Sequence, residues 1–125
     1  MKRTGSFIVL LVLLKSMSCF AQVYVDGVAI DTTNTPFCQL ICSNNSLLTK
    51  TFVTIDYGQY YISTRLNRQR IEGSDRKPVT FNSSIDALNF MIRHGWEFVY
   101  SQVTGTESGA EGKLIYMLRW PKKPN

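Results

Sequence analysis

The chain has 125 residues and a formal net charge of +5, from 14 Lys or Arg and 9 Asp or Glu. A chain of this length can bury one hydrophobic core. Three basic residues, Lys2, Arg3 and Lys15, lie among the first 21 residues, so the remainder has 11 basic against 9 acidic residues. That balance predicts no nucleic-acid binding, which needs a concentrated basic surface.

Residues 1–21 have the three parts of a secretory signal peptide. Lys2 and Arg3 form a basic start, residues 7–14 are all apolar, and small residues lead to Ala21. We expect cleavage after Ala21, so that residues 22–125 form one small domain in the periplasm or the cell exterior. The apolar run is too short for a transmembrane segment, which needs about 20 residues.

Lipid attachment at Cys19 is the alternative to simple cleavage. Lipoprotein signals usually have a large aliphatic residue three positions before the modified cysteine, and this chain has Ser16 there. The sequence therefore favours a cleaved, unlipidated product.

Alternation of apolar and polar residues predicts three strands in the first half of the mature chain. They cover residues 23–30, 37–43 and 49–57, and the third is rich in β-branched residues. Residues 31–36 are predicted as a loop and residues 44–46 as a turn.

Cys38 and Cys42 lie in the second predicted strand, on the same face as Leu40. Four residues of strand span about 13 Å, whereas a disulfide needs Cα atoms within about 7 Å. We therefore expect two free, buried thiols that pack as small apolar side chains.

Residues 58–77 show no clear period, and an irregular strand is possible there; residues 78–81 resemble a short strand end. A helix follows. Ser83 suits the N-cap, and Asp86 three residues later completes a capping box with Asp in place of Glu. The predicted buried stripe consists of Ile85, Leu88, Met91 and Ile92, with Ala87 beside it.

Gly95 is predicted to end the helix in the left-handed conformation, and Trp96 to pack back on the last turn. We favour this packing role for Trp96 over ligand binding. Residues 96–103 and 113–120 are predicted strands around a polar hairpin loop, and Pro121 stops the second. In the first, Trp96, Phe98 and Tyr100 should share one face; in the second, Leu114, Tyr116, Leu118 and Trp120 should share one.

These elements predict an α+β fold with an antiparallel sheet of four or five strands packed on one α-helix. The order strand, helix, strand, strand over residues 51–120 is its central unit.

The run Asp86-Ala87-Leu88-Asn89-Phe90-Met91 followed by Gly95-Trp96-Glu97 resembles a family of small exported bacterial domains of unknown function. In that family a helix ends in Gly-Trp-Glu and a β-hairpin follows, whose last strand ends near a basic residue, here Arg119. The segments at residues 55–59 and 81–83 are also similar. The resemblance covers residues 51–120 and implies the fold but no activity.

The best candidate for an interaction surface combines aromatic and basic side chains, both of which are enriched at interfaces. Its predicted binding residues are Tyr57, Tyr60, Tyr61, Arg65, Arg68 and Arg70. Through them or a sheet edge, a non-catalytic module could bind an envelope protein or an acidic glycan. A solvated loop is the simpler interpretation.

Two other functions stay open. A small enzyme or enzyme accessory could use His94, the single histidine, with Asp56 or a cysteine, provided that the fold brings them within about 3 Å. Alternatively, an exposed strand could pair with its own copy in an assembly. The sequence predicts no catalytic residues, metal ligands or cofactor.

Overall fold

The computed structural model describes residues 22–32, 34–44, 51–60, 68–105 and 112–121. The predicted signal peptide therefore lies outside the described residues. Within these ranges the fold is mostly β, with seven strands in two antiparallel sheets and one α-helix, α1 (Ser84–Arg93). None of the described helices is long and apolar enough to cross a bilayer.

The smaller sheet has three two-residue strands in the order β2-β1-β5. β1 (Tyr24–Val25) and β2 (Val28–Ala29) form a hairpin, and β5 (Ile71–Glu72) pairs with the other side of β1. The prediction of one strand over residues 23–30 was wrong, because the chain reverses at Asp26 and Gly27. Both have positive φ, 49° and 86°, as a tight hairpin turn requires.

The larger sheet has four strands in the order β4-β3-β7-β6. The sequence predicted these four strands at nearly the observed positions, but the prediction of a single sheet was wrong. The early Asp-Gly reversal leaves strands too short to extend the larger sheet, so they form their own. The strands are β3 (Phe37–Asn44), β4 (Thr51–Asp56), β6 (Glu97–Thr104) and β7 (Lys113–Arg119).

One face of β3 and β7 is buried, as the alternation predicted. Cys38 and Leu40 are opposite Leu118 and Tyr116 respectively, and all four side chains are buried. Cys42 is buried on the same face of β3, and neither cysteine is in a disulfide. These side chains belong to one hydrophobic cluster with Val23 and Ile30, and with Ala87, Phe90 and Met91 of α1.

The helix begins as predicted. Ser83 Oγ accepts a hydrogen bond from the Asp86 N–H at 3.1 Å, and Asp86 Oδ2 accepts one from the Asn82 N–H at 3.0 Å. The second bond falls one residue before the N-cap, where a capping box would have the N-cap N–H itself.

The predicted buried stripe of α1 was wrong in two positions. Ile85 is 56% exposed and Ile92 is 46% exposed, whereas Phe90 is buried with Ala87 and Met91. Residues 87, 90 and 91 follow the i, i+3, i+4 spacing of one helix face, and residues 85 and 92 lie on the other side. Since apolar residues occupy both sides, the period alone could not choose between them.

The predicted helix end is confirmed at Gly95, which has a φ of 94°. Its N–H donates to Ile92 O at 3.0 Å, and the Trp96 N–H donates to Met91 O at 3.1 Å, which is the Schellman pattern. Trp96 is 1% exposed. Its ring meets that of Trp120 edge to face, with centroids 5.2 Å apart, so the indole packs in the core as predicted.

A β-bulge in β6 overturned the predicted faces of that strand. Phe98 is opposite Leu118 but Tyr100 is opposite Met117, so Val99 is the extra residue. An extra residue reverses the alternation beyond it. Phe98 therefore lies on the Leu118 face of the sheet and Tyr100 on the other.

We predict that Gly95→Ala lowers the free energy of unfolding more than Gly58→Ala. Both glycines have a φ near 90°, at 94° and 90°, which should cost about 1–2 kcal/mol for alanine. A Cβ at position 95 would also lie 3.2 Å from Trp120 Cη2, whereas one at position 58 meets nothing within 4 Å. Urea unfolding of both variants measures the difference, and equal losses would contradict the packing role of the Gly95–Trp120 contact.

Candidate interaction surfaces

Residues 68–70 connect the two sheets. The Arg68 guanidinium lies 4.3 Å from the centroid of the Phe52 ring in the larger sheet. Arg70 exchanges two hydrogen bonds with Asp26 in the smaller sheet: its N–H donates to Asp26 Oδ1 at 2.8 Å, and its carbonyl accepts from the Asp26 N–H at 2.9 Å. Part of the predicted binding segment therefore has a structural role.

Glu72 is the centre of a charged cluster on the smaller sheet. The residue is 3% exposed, and its carboxylate lies 3.4 Å from Arg70 Nε and 3.6 Å from Arg76 Nε. The Arg76 guanidinium also lies 4.0 Å from the centroid of the Tyr24 ring. Arg70, one of the predicted binding residues, and Arg76 are thus both paired with a buried carboxylate.

The predicted binding residues have different surroundings. Tyr57 packs partly against the core, whereas Tyr60 is fully exposed. Arg68 and Arg70 make the contacts given above, and Tyr61 and Arg65 lie outside the described residues. In the part of the chain that the structure describes, no contact joins either tyrosine to either arginine.

The outer edge of β4 is occupied by two glutamine side chains. Gln69 Oε1 accepts from the Ile55 N–H at 2.7 Å, and Gln69 Nε2 donates to Ile55 O at 2.9 Å. Gln59 bonds the same carbonyl at 2.9 Å and accepts from the Tyr57 N–H at 2.8 Å. Thr51 forms a β-bridge with Phe81. A further strand could therefore not use the backbone groups of Ile55 or the Tyr57 N–H without displacing these side chains.

Among the described residues, the opposite edge of the larger sheet, β6, is open. All eight of its residues are exposed, and β7 is its one strand partner within the described ranges. Four of its side chains are large and apolar, and Val103 is 63% exposed. Sequence analysis predicted the strand but not its position at an edge, because strand order depends on the long-range pairing of β3 with β7.

His94, the candidate catalytic residue, contacts its own helix. Its Nδ1 lies 2.7 Å from Phe90 O, and its ring centroid lies 4.2 Å from that of Phe90. Asp56 Oδ1 instead accepts from the Gly58 N–H at 3.0 Å. The described residues show no hydrogen bond from His94 to Asp56 or to either cysteine.

The two candidate nucleophiles are protonated thiols at neutral pH. Burial raises the pKa of Cys38 from 9.0 to about 12, with a smaller contribution from the nearby charge of Asp56. Burial also raises the pKa of Cys42 from 9.0 to about 12. A nucleophilic cysteine needs the reverse shift.

Asp31 is an electrostatic neighbour of His94 that the sequence did not predict. Burial raises the pKa of Asp31, and this shift is opposed by a backbone hydrogen bond and by the charge of His94. No group of three His, Cys, Asp or Glu side chains placed to hold a metal ion occurs in the described ranges.

No protein family, curated protein or solved structure matches this chain.

We predict that Glu72→Gln destabilises the protein more than Glu97→Gln. Glu72 is buried between two arginines, and loss of its charge should cost about 1–3 kcal/mol. Glu97 pairs with Arg119 at 2.9 Å, but both side chains are about half exposed, so its loss should cost at most about 1 kcal/mol. Urea unfolding at low and high salt measures both; equal costs would show that the Glu72 cluster is no stronger than a surface ion pair.

We also predict that the protein loses stability as the pH rises from about 9 to 12. The thiols of Cys38 and Cys42 ionise near pH 9 when unfolded but near pH 12 when folded. Each thiol therefore stabilises the fold below pH 9 and loses that contribution above it, by up to about 1.4 kcal/mol per pH unit.

Cys42→Ala isolates this effect from the lysines and tyrosines that ionise in the same range. The variant should lose less stability per pH unit than the parent between pH 9 and pH 12, whatever its stability at neutral pH. Parallel slopes in the two proteins would contradict the predicted shift.

Proposed function

We propose that this chain acts outside the cytoplasm as a non-catalytic interaction module that binds an extended segment of a protein partner along β6. The difference between the two edges of the larger sheet carries the proposal. Side chains and a bridge occupy the β4 edge at Ile55, Tyr57 and Thr51, whereas β6 is exposed along its whole length. An added strand gains main-chain hydrogen bonds from such an edge.

The proposal includes the sequence-based packing of the sheet on the helix. We take α1 to cover the face of the larger sheet that carries Cys38, Leu40 and Leu118. Membership of these residues in one hydrophobic cluster with Phe90 and Met91 supports this arrangement. The edge at β6 is then held by a rigid layer, which lowers the entropy cost of binding.

Export is the second part of the proposal and depends on the predicted signal peptide at residues 1–21. The resemblance of residues 51–120 to small exported bacterial domains points the same way, although it implies no activity.

Two of the five basic residues in the segment 65–77, Arg70 and Arg76, face Glu72. This reduces the case for an acidic glycan as the ligand and favours a protein.

The surface of β6 indicates the chemistry of the partner segment. Phe98, Tyr100 and Val103 are large apolar side chains that are exposed by about half or more. Glu97 is the single charged residue of the strand, and it is ion-paired with Arg119. We therefore expect a segment with apolar residues at alternate positions and little charge.

Val103→Lys tests the proposal, because an edge lysine opposes strand addition. With the protein as bait in an envelope extract, we expect Val103→Lys to reduce recovery of a bound protein at least tenfold. Val28→Lys is the matched control: Val28 is also exposed, on β2 of the other sheet, and this variant should bind like the parent. Equal recovery with all three proteins would contradict binding along β6.

A further inference from the structure

We infer that the partner strand at β6 is β6 of a second copy of this chain, and that the product is a closed dimer with a continuous eight-stranded sheet. The inference rests on the proposed function and names its partner. Two copies related by a twofold axis perpendicular to the sheet place identical strands side by side in antiparallel orientation.

β6 itself has the low charge and the exposed apolar side chains expected of the segment it should bind. It is an extended strand of eight residues, Glu97–Thr104, with exposed apolar side chains and one charge. Within the described ranges, β4 and β6 are the two edge strands longer than two residues, and side chains occupy part of the β4 edge. A second copy therefore offers the same edge in return.

The position of the single charge on β6 also favours a second copy as the partner. The charged residue of β6, Glu97, lies at one end of the strand and is neutralised by Arg119 of its own sheet. In an antiparallel pair centred on the strand, the two Glu97 side chains would be more than about 20 Å apart. A copy would therefore meet no like charge opposite its own, which is the usual electrostatic barrier to strand pairing.

The β4 edge explains why such pairing would stop at two copies. A sheet with two open edges can add copies without limit and form fibres. Here the β4 edge is blocked at Ile55 and Tyr57 by Gln69 and Gln59. Pairing of β6 with β6 consumes both open edges, so the assembly closes as a dimer.

The bulge at Val99 indicates where the twofold axis should fall. A bulge disturbs regular pairing, and it lies between Phe98 and Tyr100. The regular part of the strand is residues 100–104, so the axis should pass near Ser101 or Gln102. The interface is then short, and we expect a dimer that dissociates on dilution.

Sedimentation of protein expressed from the full chain tests the inference. We expect a dimer at high concentration and a monomer at low concentration. Val103→Lys should shift the dimer–monomer midpoint to at least tenfold higher concentration, and Val28→Lys should leave it unchanged. A parent that stays monomeric, a dimer that persists in Val103→Lys, or larger assemblies would each overturn the inference.

Cross-linking tests the same geometry with milder substitutions. Opposed residues in an antiparallel pair have Cα atoms about 4.5–5.5 Å apart, a separation that a disulfide can span. We expect Ser101→Cys or Gln102→Cys to form a disulfide-linked dimer on oxidation, whereas the parent and Val28→Cys should not. Cys38 and Cys42 should not interfere, because both are buried thiols. Absence of a cross-link at both positions would overturn the pairing.

The two proposals fail in distinguishable ways. A monomeric parent whose capture of an envelope protein is still abolished by Val103→Lys would remove the second copy and leave binding along β6 intact. Loss of both the dimer and the Val103-dependent capture would remove both.

Discussion

The reversal of the chain after α1 joins the helix directly to β6 of the larger sheet. Gly95 adopts a left-handed conformation, and the Trp96 N–H closes the last turn by bonding Met91 O. Trp96 then enters the core against Trp120. Because β6 begins at the next residue, no linker separates the helix from the sheet. The same turn therefore sets both the end of the helix and the start of β6.

Backbone hydrogen bonding explains why the two edges of the larger sheet differ. An N–H or C=O at an edge needs water, a side chain or another strand as its partner. At β4, the amide groups of Gln59 and Gln69 take the place of a strand. At β6, the backbone and several apolar side chains face solvent together, a combination that soluble proteins usually avoid at an edge. This asymmetry is the reason for proposing β6 as the binding edge.

Several charged side chains make contacts within the fold that the composition of the sequence did not indicate. Arg70 and Arg76 converge on the buried carboxylate of Glu72, and Arg68 lies over the Phe52 ring. Residues 68–70 of the segment that combines tyrosines and arginines thus contact both sheets. The net charge of the sequence does not show which charged side chains are paired with each other in the fold.

Signals that act within a few residues could be interpreted from the sequence. Ser83 and Gly95 bound the helix because capping and the left-handed turn are local requirements. The buried face of β3 follows from its two-residue period. The Asp26–Gly27 turn carried an equally local signal, but alternation on both sides of it suggested one continuous strand.

The tertiary structure alone decided which apolar surface is covered. Phe90 is buried and Ile85 is exposed, although both are apolar residues of the same helix. The open edge exists because β3 pairs with β7 across more than sixty intervening residues, which leaves β6 outermost. The sequence by itself determined the helix with its ends and the four strands of the larger sheet, since those depend on neighbouring residues, but it did not determine the two-residue strands of the smaller sheet. Strand order and exposure depend on contacts between distant parts of the chain, and no local pattern contains them.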